Sequence, residues 1–111
     1  MVEYEIARRT PRYHFAVDVI VTDIQRKVRI TGRTNTFGLF GCGMNTLEPL
    51  AQGTSVRVRM THQSAEVKAL GMVVYARPGV GMGISFIEID KKDERLLELW
   101  IQELMCTESV R

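Results

Sequence analysis

The sequence predicts one small domain of mostly β structure: an antiparallel β-barrel, closed or nearly closed, followed by a C-terminal amphipathic α-helix. Three observations predict this fold class. Apolar and polar residues alternate in several short segments, turn-forming residues separate those segments, and the pattern changes to a helical period after Asp90. Short strands joined by short turns are typical of small barrels. The length of 111 residues, with 45% hydrophobic and 25% charged residues, suits a single globular domain.

Two strands are predicted in the first third of the chain. Residues 14–24 place four apolar side chains on one face and polar residues on the other, and they are rich in the β-branched residues that strands favour. Residues 27–34 follow after a polar turn, with Val28 and Ile30 facing inward. Residues 32–44 are rich in glycine, which lets backbone amides reach the surface without obstruction by side chains.

Three further strands are predicted after a loop at residues 47–54. Residues 55–61 show the cleanest alternation in the chain, with three apolar residues facing inward and two arginines facing outward. Residues 64–76 form a longer run whose period shifts near Gly71, which predicts a bulge or bend there. A turn then leads into the last predicted strand at residues 82–89.

The C-terminal segment predicts a helix over residues 91–105. Asp90 is placed to be its N-cap, with Asp93 in the reciprocal position of a capping box. We expect the apolar stripe of this helix to pack against the barrel, with a partner helix in a homodimer as the alternative. Residues 107–111 are expected to be a frayed tail. The stripe consists of Leu97, Trp100, Ile101 and Leu104.

The composition argues against several classes of protein. The net charge of +2 does not by itself indicate a nucleic-acid protein, and no run approaches the roughly 18 apolar residues of a membrane helix. The N-terminus has no apolar core of a signal peptide. Cys42 and Cys106 stand far apart, which favours reduced thiols in a cytoplasmic protein and argues against a metal site.

Candidate catalytic groups are missing from the sequence. No serine or cysteine stands in a recognisable spacing with a histidine, so the chain is predicted not to be an enzyme and to need no cofactor. Gly79, Gly81 and Gly83 resemble a phosphate-binding loop, but a strand follows them rather than a helix. We therefore interpret them as turn residues and as a site of close backbone approach.

The one concentrated feature is the segment A-R-R-T-P-R-Y at residues 7–13, which holds Arg8, Arg9 and Arg12. Arginine presents forked donors that match phosphate oxygens and can stack on flat bases. Pro11 argues against a helix, so residues 1–12 are predicted to form a flexible arm that wraps over the barrel. Taken alone, such a segment is more often a solvated basic surface than a binding site.

Together, these features resemble the PilZ domain family. The family's R-x-x-x-R motif before the first strand is matched by Arg8 and Arg12, Gly53-Thr54 matches a Gly-Thr pair before a middle strand, and residues 81–86 match a G-x-G-[IV]-x-F strand. The resemblance covers residues 7–105. It implies a six-stranded antiparallel barrel over residues 13–106, helix included, and binding of the bacterial second messenger cyclic di-GMP.

The family's second motif, Asp or Asn, any residue, Ser, two residues and Gly, is incomplete here. Aligning Gly41 with the family glycine puts Thr36 at the acidic position and Gly38 at the serine. Aligning Gly38 instead puts Arg33 and Asn35 at those two positions. In the family this motif contacts a guanine, so the departures predict weaker binding or none.

Three hypotheses follow. In the first, the chain is a cyclic di-GMP receptor that signals by ordering its arm on the barrel and acts on a protein partner. The second is an adaptor that has lost its nucleotide and works through protein contacts, as a monomer or homodimer. The third, which we consider weaker, is a barrel that binds single-stranded nucleic acid through Arg57, Arg59 and the N-terminal arginines, with Tyr13 and Tyr75 as stacking platforms. The residues predicted to bind cyclic di-GMP are Arg8, Arg9, Arg12, Thr36, Gly38 and Gly41.

Overall fold

The computed structural model describes residues 13–110, which form a closed six-stranded antiparallel barrel and one C-terminal helix. The predicted fold class is therefore confirmed. No helix in this part of the chain is long and apolar enough to cross a membrane. The elements are β1 (Asp18–Asp23), β2 (Arg29–Gly38), β3 (Gly41–Asn45), β4 (Ser55–His62), β5 (Ala65–Arg77), β6 (Gly81–Ile89) and α1 (Lys91–Val110).

The strands follow one another around the barrel in the order β1-β2-β3-β6-β5-β4, and β4 closes the ring by pairing with β1. All six pairs are antiparallel. Closure leaves no unpaired edge among these strands. It also puts β3 and β6 on the side of the barrel opposite β4 and β1, so the molecule has two separate outer surfaces.

The barrel interior is filled by the apolar residues that the alternating pattern identifies. Val56, Val58 and Met60 of β4 are fully buried, as are Val19 and Val21 of β1. Burying a side chain of this size stabilises the fold by about 1.5–3 kcal/mol. The inward face predicted for both strands is thus confirmed.

The first two strands begin later than the pattern predicts. Residues 14–17 lie outside β1 because the hydroxyl of Thr34 accepts the bond from the Val17 N–H (3.0 Å), which interrupts the regular ladder. Val28 was expected to face inward, yet 44% of its surface is exposed. It belongs to the turn before β2, which Asp23 builds by accepting bonds from the N–H groups of Gln25 (2.9 Å) and Arg26 (3.1 Å).

The alternation of apolar and polar residues does not predict strand β3. Its inward residues, Cys42 and Met44, are buried, but its outward positions are occupied by Gly41 and Gly43. Glycine gives no polar signal, so the segment shows no alternation. Only the resemblance to a six-stranded family implied a strand here.

Strand β5 is irregular at two points along its pairing with β6. One register shift lies between Leu70 and Gly71, which confirms the predicted bulge. A Cβ atom at Gly71 would stand 2.6 Å from the Ser85 carbonyl oxygen, so the backbones meet there as closely as only glycine allows. The second shift lies between Val73 and Tyr75 and was not expected from the sequence.

Helix α1 closes one end of the barrel. It starts directly after Asp90, whose carbonyl accepts the first helical bond from the N–H of Glu94 (2.8 Å). Leu97, Trp100 and Ile101 are buried, so the predicted packing of the helix on the barrel is confirmed. The helix runs on to Val110 rather than ending near residue 105, because no glycine or proline interrupts residues 91–110.

Candidate functional site

Three of the predicted binding residues lie together on the hairpin of β2 and β3. Gly38 and Gly41 are directly opposite each other at its end, joined by the two-residue turn Leu39-Phe40. Thr36 is opposite Gly43, one pair further along on the same face. Arg8, Arg9 and Arg12 lie outside the described residues.

The hairpin turns these three residues to the outside of the barrel because their neighbours face the core. Phe37 and Cys42, which are paired with each other, are fully buried. Side chains alternate along a strand, so Thr36, Gly38 and Gly41 lie on the outer face. Apart from Thr36, this outer face presents backbone rather than side chains. We call the outer face of β2 and β3 from Thr36 to Gly43 the glycine wall.

A β-bulge shapes one edge of the glycine wall. The register of β2 shifts between Thr34 and Thr36, so Asn35 is the extra residue. A Cβ atom at Gly43 would stand 2.8 Å from Asn35 Oδ1 and 3.2 Å from Thr36 Oγ1, so both side chains lean over this glycine. The Asn35 amide donates to Asn45 Oδ1 (2.7 Å), which fixes its orientation.

The alternative alignment of the second motif is not supported by the position of Arg33. Its guanidinium is 3.2 Å from the Asp18 carboxylate and donates to the Ala16 carbonyl (2.9 Å). These bonds direct Arg33 toward β1 and away from the hairpin turn. Thr36 and Gly38 of the first alignment lie on the glycine wall, and the side chain of Asn35 from the second alignment also lies over Gly43 of this wall.

Tyr13 is attached to the middle of this wall. Tyr13 exchanges two backbone hydrogen bonds with Phe37, one in each direction, at 2.9 and 3.0 Å. Phe37 stands between Thr36 and Gly38 in the sequence. The residue that follows the arginine segment is therefore held beside the predicted wall. No feature of the sequence predicts this pairing, beyond the preference of Pro11 for extended backbone before Tyr13.

Thr34, a buried residue of β2, strengthens the attachment of the segment around Tyr13 to this strand. The Thr34 hydroxyl donates to the Phe15 carbonyl (2.7 Å) and accepts from the Val17 N–H (3.0 Å). The Thr34 N–H also donates to the Val17 carbonyl (2.9 Å). Residues 13–17 are thus tied to β2 along its second half, a role for Thr34 that the alternation pattern did not reveal.

The glycine wall continues onto β6, where Gly41 pairs with Ser85 and Gly43 pairs with Gly83. The ring of Tyr75 lies so close over Gly83 that a Cβ atom there would overlap it. An aromatic ring that covers a glycine in a neighbouring strand stabilises the sheet. Tyr75 remains 46% exposed, so its outer surface is open to solvent. Among the glycines interpreted as turn residues and as a site of close backbone approach, Gly83 is covered by this ring, and Gly81 meets the backbone of Met44, whose carbonyl oxygen a Cβ atom at Gly81 would overlap.

Two large apolar side chains are exposed beside the hairpin turn. Phe40 has 59% of its surface exposed and Ile87 has 64%. The Phe86 N–H donates to the Phe40 carbonyl (2.8 Å), so the turn is fixed against β6. Isolated exposed apolar residues are common, but this pair adjoins a surface that presents mostly backbone.

The glycine wall contains no titratable side chain. Positive charge for binding an anion must therefore come from another part of the chain. Among residues 13–110, no group of three or more His, Cys, Asp or Glu side chains is arranged to hold a metal ion. The wall offers a hydroxyl and backbone groups, but its glycines are buried and the side chains of Asn35 and Thr36 lie over Gly43.

Solved structures share this architecture. The PilZ domain of CeSA from a cellulose-synthesizing bacterium matches with a TM-score of 0.68 and 20% identity, over 86% of this chain and 99% of that one. The Bacillus subtilis inhibitor of motility MotI/DgrA matches with a TM-score of 0.72 and 15% identity over 90% of this chain. Escherichia coli YcgR in complex with c-di-GMP matches with a TM-score of 0.70 and 18% identity over 94% of this chain. The match covers 52% of the MotI chain and 50% of the YcgR chain.

The sequence itself matches a family model. No curated protein matches the chain. The model of the PilZ domain matches residues 7–103, a range that includes the arginine segment, the glycine wall and most of the helix. PilZ domains are ligand-binding effector modules rather than enzymes. The resemblance inferred from the motifs is confirmed: the chain belongs to the PilZ domain family.

Proposed function

We propose that this PilZ domain is a receptor for cyclic di-GMP. Arg8, Arg9 and Arg12 bind the phosphates and guanine edges, and Thr36, Gly38 and Gly41 form the opposing wall. The observation that supports this proposal best is the pair of hydrogen bonds between Tyr13 and Phe37. It attaches the chain to the wall at the residue that directly follows Arg12.

Covalent geometry keeps the arginines close to this attachment. Neighbouring Cα atoms are about 3.8 Å apart, so the Cα of Arg12 lies at that distance from the Cα of Tyr13. Even a fully extended chain puts Arg8 no more than about 17 Å from Tyr13. All three guanidinium groups are therefore within reach of a ligand that rests on the hairpin.

The chemistry of the two parts is complementary. The guanidinium groups supply the charge and the forked donors that phosphate requires, and the wall supplies none. Glycine positions let a flat base approach the backbone closely. Thr36 offers one hydroxyl where the family has an acid or amide, and Gly38 offers no side chain where the family has serine. A lost polar contact of this kind costs about 1–3 kcal/mol, which corresponds to about tenfold to a hundredfold in affinity.

In this proposal the signal arises when the ligand orders residues 1–12 over the hairpin. The ligand then contacts both the arginines and the wall, so it favours the state in which the two are together. Phe40 and Ile87 lie beside the hairpin turn and are exposed. An arm fixed across this region changes which surface a partner protein meets. The complex of E. coli YcgR with c-di-GMP supports the choice of ligand.

An adaptor that binds no nucleotide is the second candidate. It is favoured by the hydrogen bonds of Arg33 and Asn35, the two polar residues of the alternative motif alignment. Asn35 is bonded to Asn45, and Arg33 to Asp18, so these polar groups are satisfied within the protein. The exposed Phe40 and Ile87 then serve a protein contact directly.

Calorimetric titration of the full chain with cyclic di-GMP tests the proposal. We expect binding in the micromolar range or tighter, and at least a tenfold loss in the variant Arg8→Ala/Arg12→Ala. The matched control is Arg57→Ala, which removes an exposed arginine on the opposite side of the barrel and should leave the affinity unchanged. Absence of heat at tens of micromolar ligand, with protein shown to be folded by circular dichroism, contradicts the receptor and favours the adaptor.

A further inference from the structure

The outer surface on the opposite side of the barrel is rich in positive charge. It is formed by β1, β4, the first half of β2 and the first half of β5, which are neighbours around the ring. We call this surface the basic face. Its two carboxylates are Asp18 and Glu66. Its cations are Arg29, Arg33, Arg57, Arg59 and Lys68, all of them exposed.

The register of the strands sets these cations in rows. Thr22 of β1 is opposite both Arg29 and Arg57, so the two arginines lie about 10 Å apart across one residue. In the next row, Arg59 is directly opposite Lys68. Five cations against two carboxylates exceed the net charge of +2 of the entire chain. The face therefore carries an excess of positive charge, and it is bordered on the β6 side by the exposed Glu88, which is opposite Leu70.

This arrangement is unfavourable in the isolated protein. Like charges directly opposite each other in a sheet are destabilising, and Arg59 and Lys68 are such a pair. Glu66 lies 3.6 Å from Arg59 and 3.8 Å from Lys68, so a single carboxylate forms ion pairs with both cations. Arg29 and Arg57 have no ion pair within residues 13–110. A bound anionic group would relieve this repulsion.

A groove lined mostly by charged residues adjoins the basic face, and Leu96 and Leu99 are its apolar residues. A cavity of about 780 Å³ lies between β5 and the start of α1, with Lys68 on one side and Leu96 and Leu99 on the other. Leu99 is 51% exposed. The rim of the groove holds both charges, Arg95 and Asp93 among them. A ligand for the combined surface therefore needs acidic groups for the arginines and apolar groups for the groove.

We propose that the basic face is the docking surface for an acidic, amphipathic helix of a partner protein. Glutamate and aspartate side chains pair with the forked donors of arginine, which is enriched at the centres of protein interfaces. The apolar residues of such a helix fit against Leu96 and Leu99. The proposal is independent of cyclic di-GMP, because the basic face and the glycine wall lie on opposite sides of the barrel.

Single-stranded nucleic acid fits this surface less well. Its binding sites combine basic residues with aromatic rings on which bases stack. Ile20, Thr22, Thr31 and Leu70 are the uncharged residues that stand in the rows with the arginines. Tyr75 lies over Gly83, beyond both register shifts of β5, and Tyr13 is attached to the hairpin. The aromatic platforms are thus separated from Arg57 and Arg59.

The test uses a labelled helical peptide of about 20 residues, with glutamates on one face and leucines on the other, which spans about 30 Å. Fluorescence anisotropy measures its binding to the full chain at about 50 mM and about 200 mM salt. An oligothymidylate with the same number of charges is the second probe. We expect the peptide to bind more tightly than the oligonucleotide and to lose affinity at the higher salt.

The variant Arg29→Glu/Arg57→Glu should weaken peptide binding at least tenfold and leave cyclic di-GMP binding unchanged. The single variant Arg57→Glu has a matched control in Arg77→Glu, which makes the same exposed charge reversal at the end of β5. Equal losses of peptide affinity in Arg57→Glu and Arg77→Glu would mean that binding depends only on net charge. That result would overturn the proposal. Tighter binding of oligothymidylate than of the peptide would overturn it in favour of nucleic acid. Absence of cyclic di-GMP binding by the native chain, with peptide binding intact, would contradict only the receptor proposal.

Discussion

The two outer surfaces of this barrel are built from the same ring of strands yet differ in almost every chemical respect. The glycine wall presents backbone, one threonine hydroxyl and no charge, whereas the basic face presents five cations and two carboxylates. In the proposed receptor the wall receives its charge from residues 8–12, whereas the basic face has charges of its own. A surface without charge is suited to a ligand that other groups hold in place. A surface with its own charges in fixed rows is suited to a partner that it can bind without help from another segment of the chain.

The largest effect should come from Phe37, the residue that links the wall to the core. Phe37→Ala removes a fully buried ring that packs against Phe15 (ring centroids 5.8 Å apart) and Trp100 (6.4 Å). We expect the free energy of unfolding to fall by about 3–5 kcal/mol, measured by urea denaturation. A loss below about 1 kcal/mol, the range of a surface substitution, would contradict this central position.

Thr34→Val should produce the next largest effect, because it removes a hydroxyl that bonds both Phe15 and Val17. Leaving these two backbone groups unpaired should cost about 1–3 kcal/mol of stability. Thr31→Val, an exposed change on the same strand, is the control and should shift stability by less than about 0.5 kcal/mol. Hydrogen exchange should also speed up at Val17 in the Thr34 variant and not in the control. Unchanged exchange there would mean that other contacts hold this segment to β2.

Gly43→Val should weaken ligand binding at the glycine wall without affecting the basic face, and it should change stability less than Thr34→Val. The new side chain must displace the Asn35 amide, which is bonded to Asn45, and the Thr36 hydroxyl, so we expect a loss of about 1–2 kcal/mol. Cyclic di-GMP binding should weaken at least tenfold, since the Thr36 hydroxyl moves, and binding of the acidic peptide should not change. If both affinities fall together, the two surfaces are not independent.

The smallest effect concerns Asp23, in the turn at the edge of the basic face. Hydrogen bonds from the backbone of Arg26, then from its side chain and from Gln25, lower the pKa of this carboxyl below its ordinary value of 3.8, although burial acts in the opposite direction. The unfolded chain therefore takes up the proton first as the pH falls. This contribution to stability is complete above about pH 4 and is lost as the pH drops through the lower pKa of the folded state.

Asp23→Asn should remove that contribution. Thermal unfolding between about pH 3 and pH 5 should then show a shallower pH dependence in the variant than in the native chain. Asp18→Asn is the matched control, because Asp18 is an exposed carboxylate in a surface ion pair and such pairs add little to stability. Identical slopes for Asp23→Asn and the native chain would contradict the role assigned to the turn.

The parts of the fold that follow a regular period were predictable from the sequence. The alternation in β4, the bulge at Gly71 and the helical stripe of Leu97, Trp100 and Ile101 are all found as expected. Strand β3 was not, because its outward glycines erase the polar half of the pattern. Val28 was misplaced because Asp23 organises a turn through hydrogen bonds that alternation does not encode.

The candidate site was predictable only in part, and for a related reason. The residues of the second motif could be named from the sequence, but two alignments remained open. In the structure the bonds of Arg33 to Asp18 and Ala16 direct its side chain toward β1, and both alignments stay predictions. The attachment of Tyr13 to Phe37 is a contact between distant backbone atoms, which leaves no trace in side-chain patterns. The binding roles of Arg8, Arg9 and Arg12 stay predictions.

The bulge at Asn35 has a consequence for how this domain can evolve. Strand β2 contributes its first half to the basic face and its second half to the glycine wall, with the extra residue between them. Substitutions at outward positions before Asn35 change one surface, and those after it change the other, while the inward residues stay in phase with the core. Ligand preference and partner preference can thus diversify separately on one continuous strand. A family built on such a strand can keep its barrel while each outer surface acquires a specificity of its own.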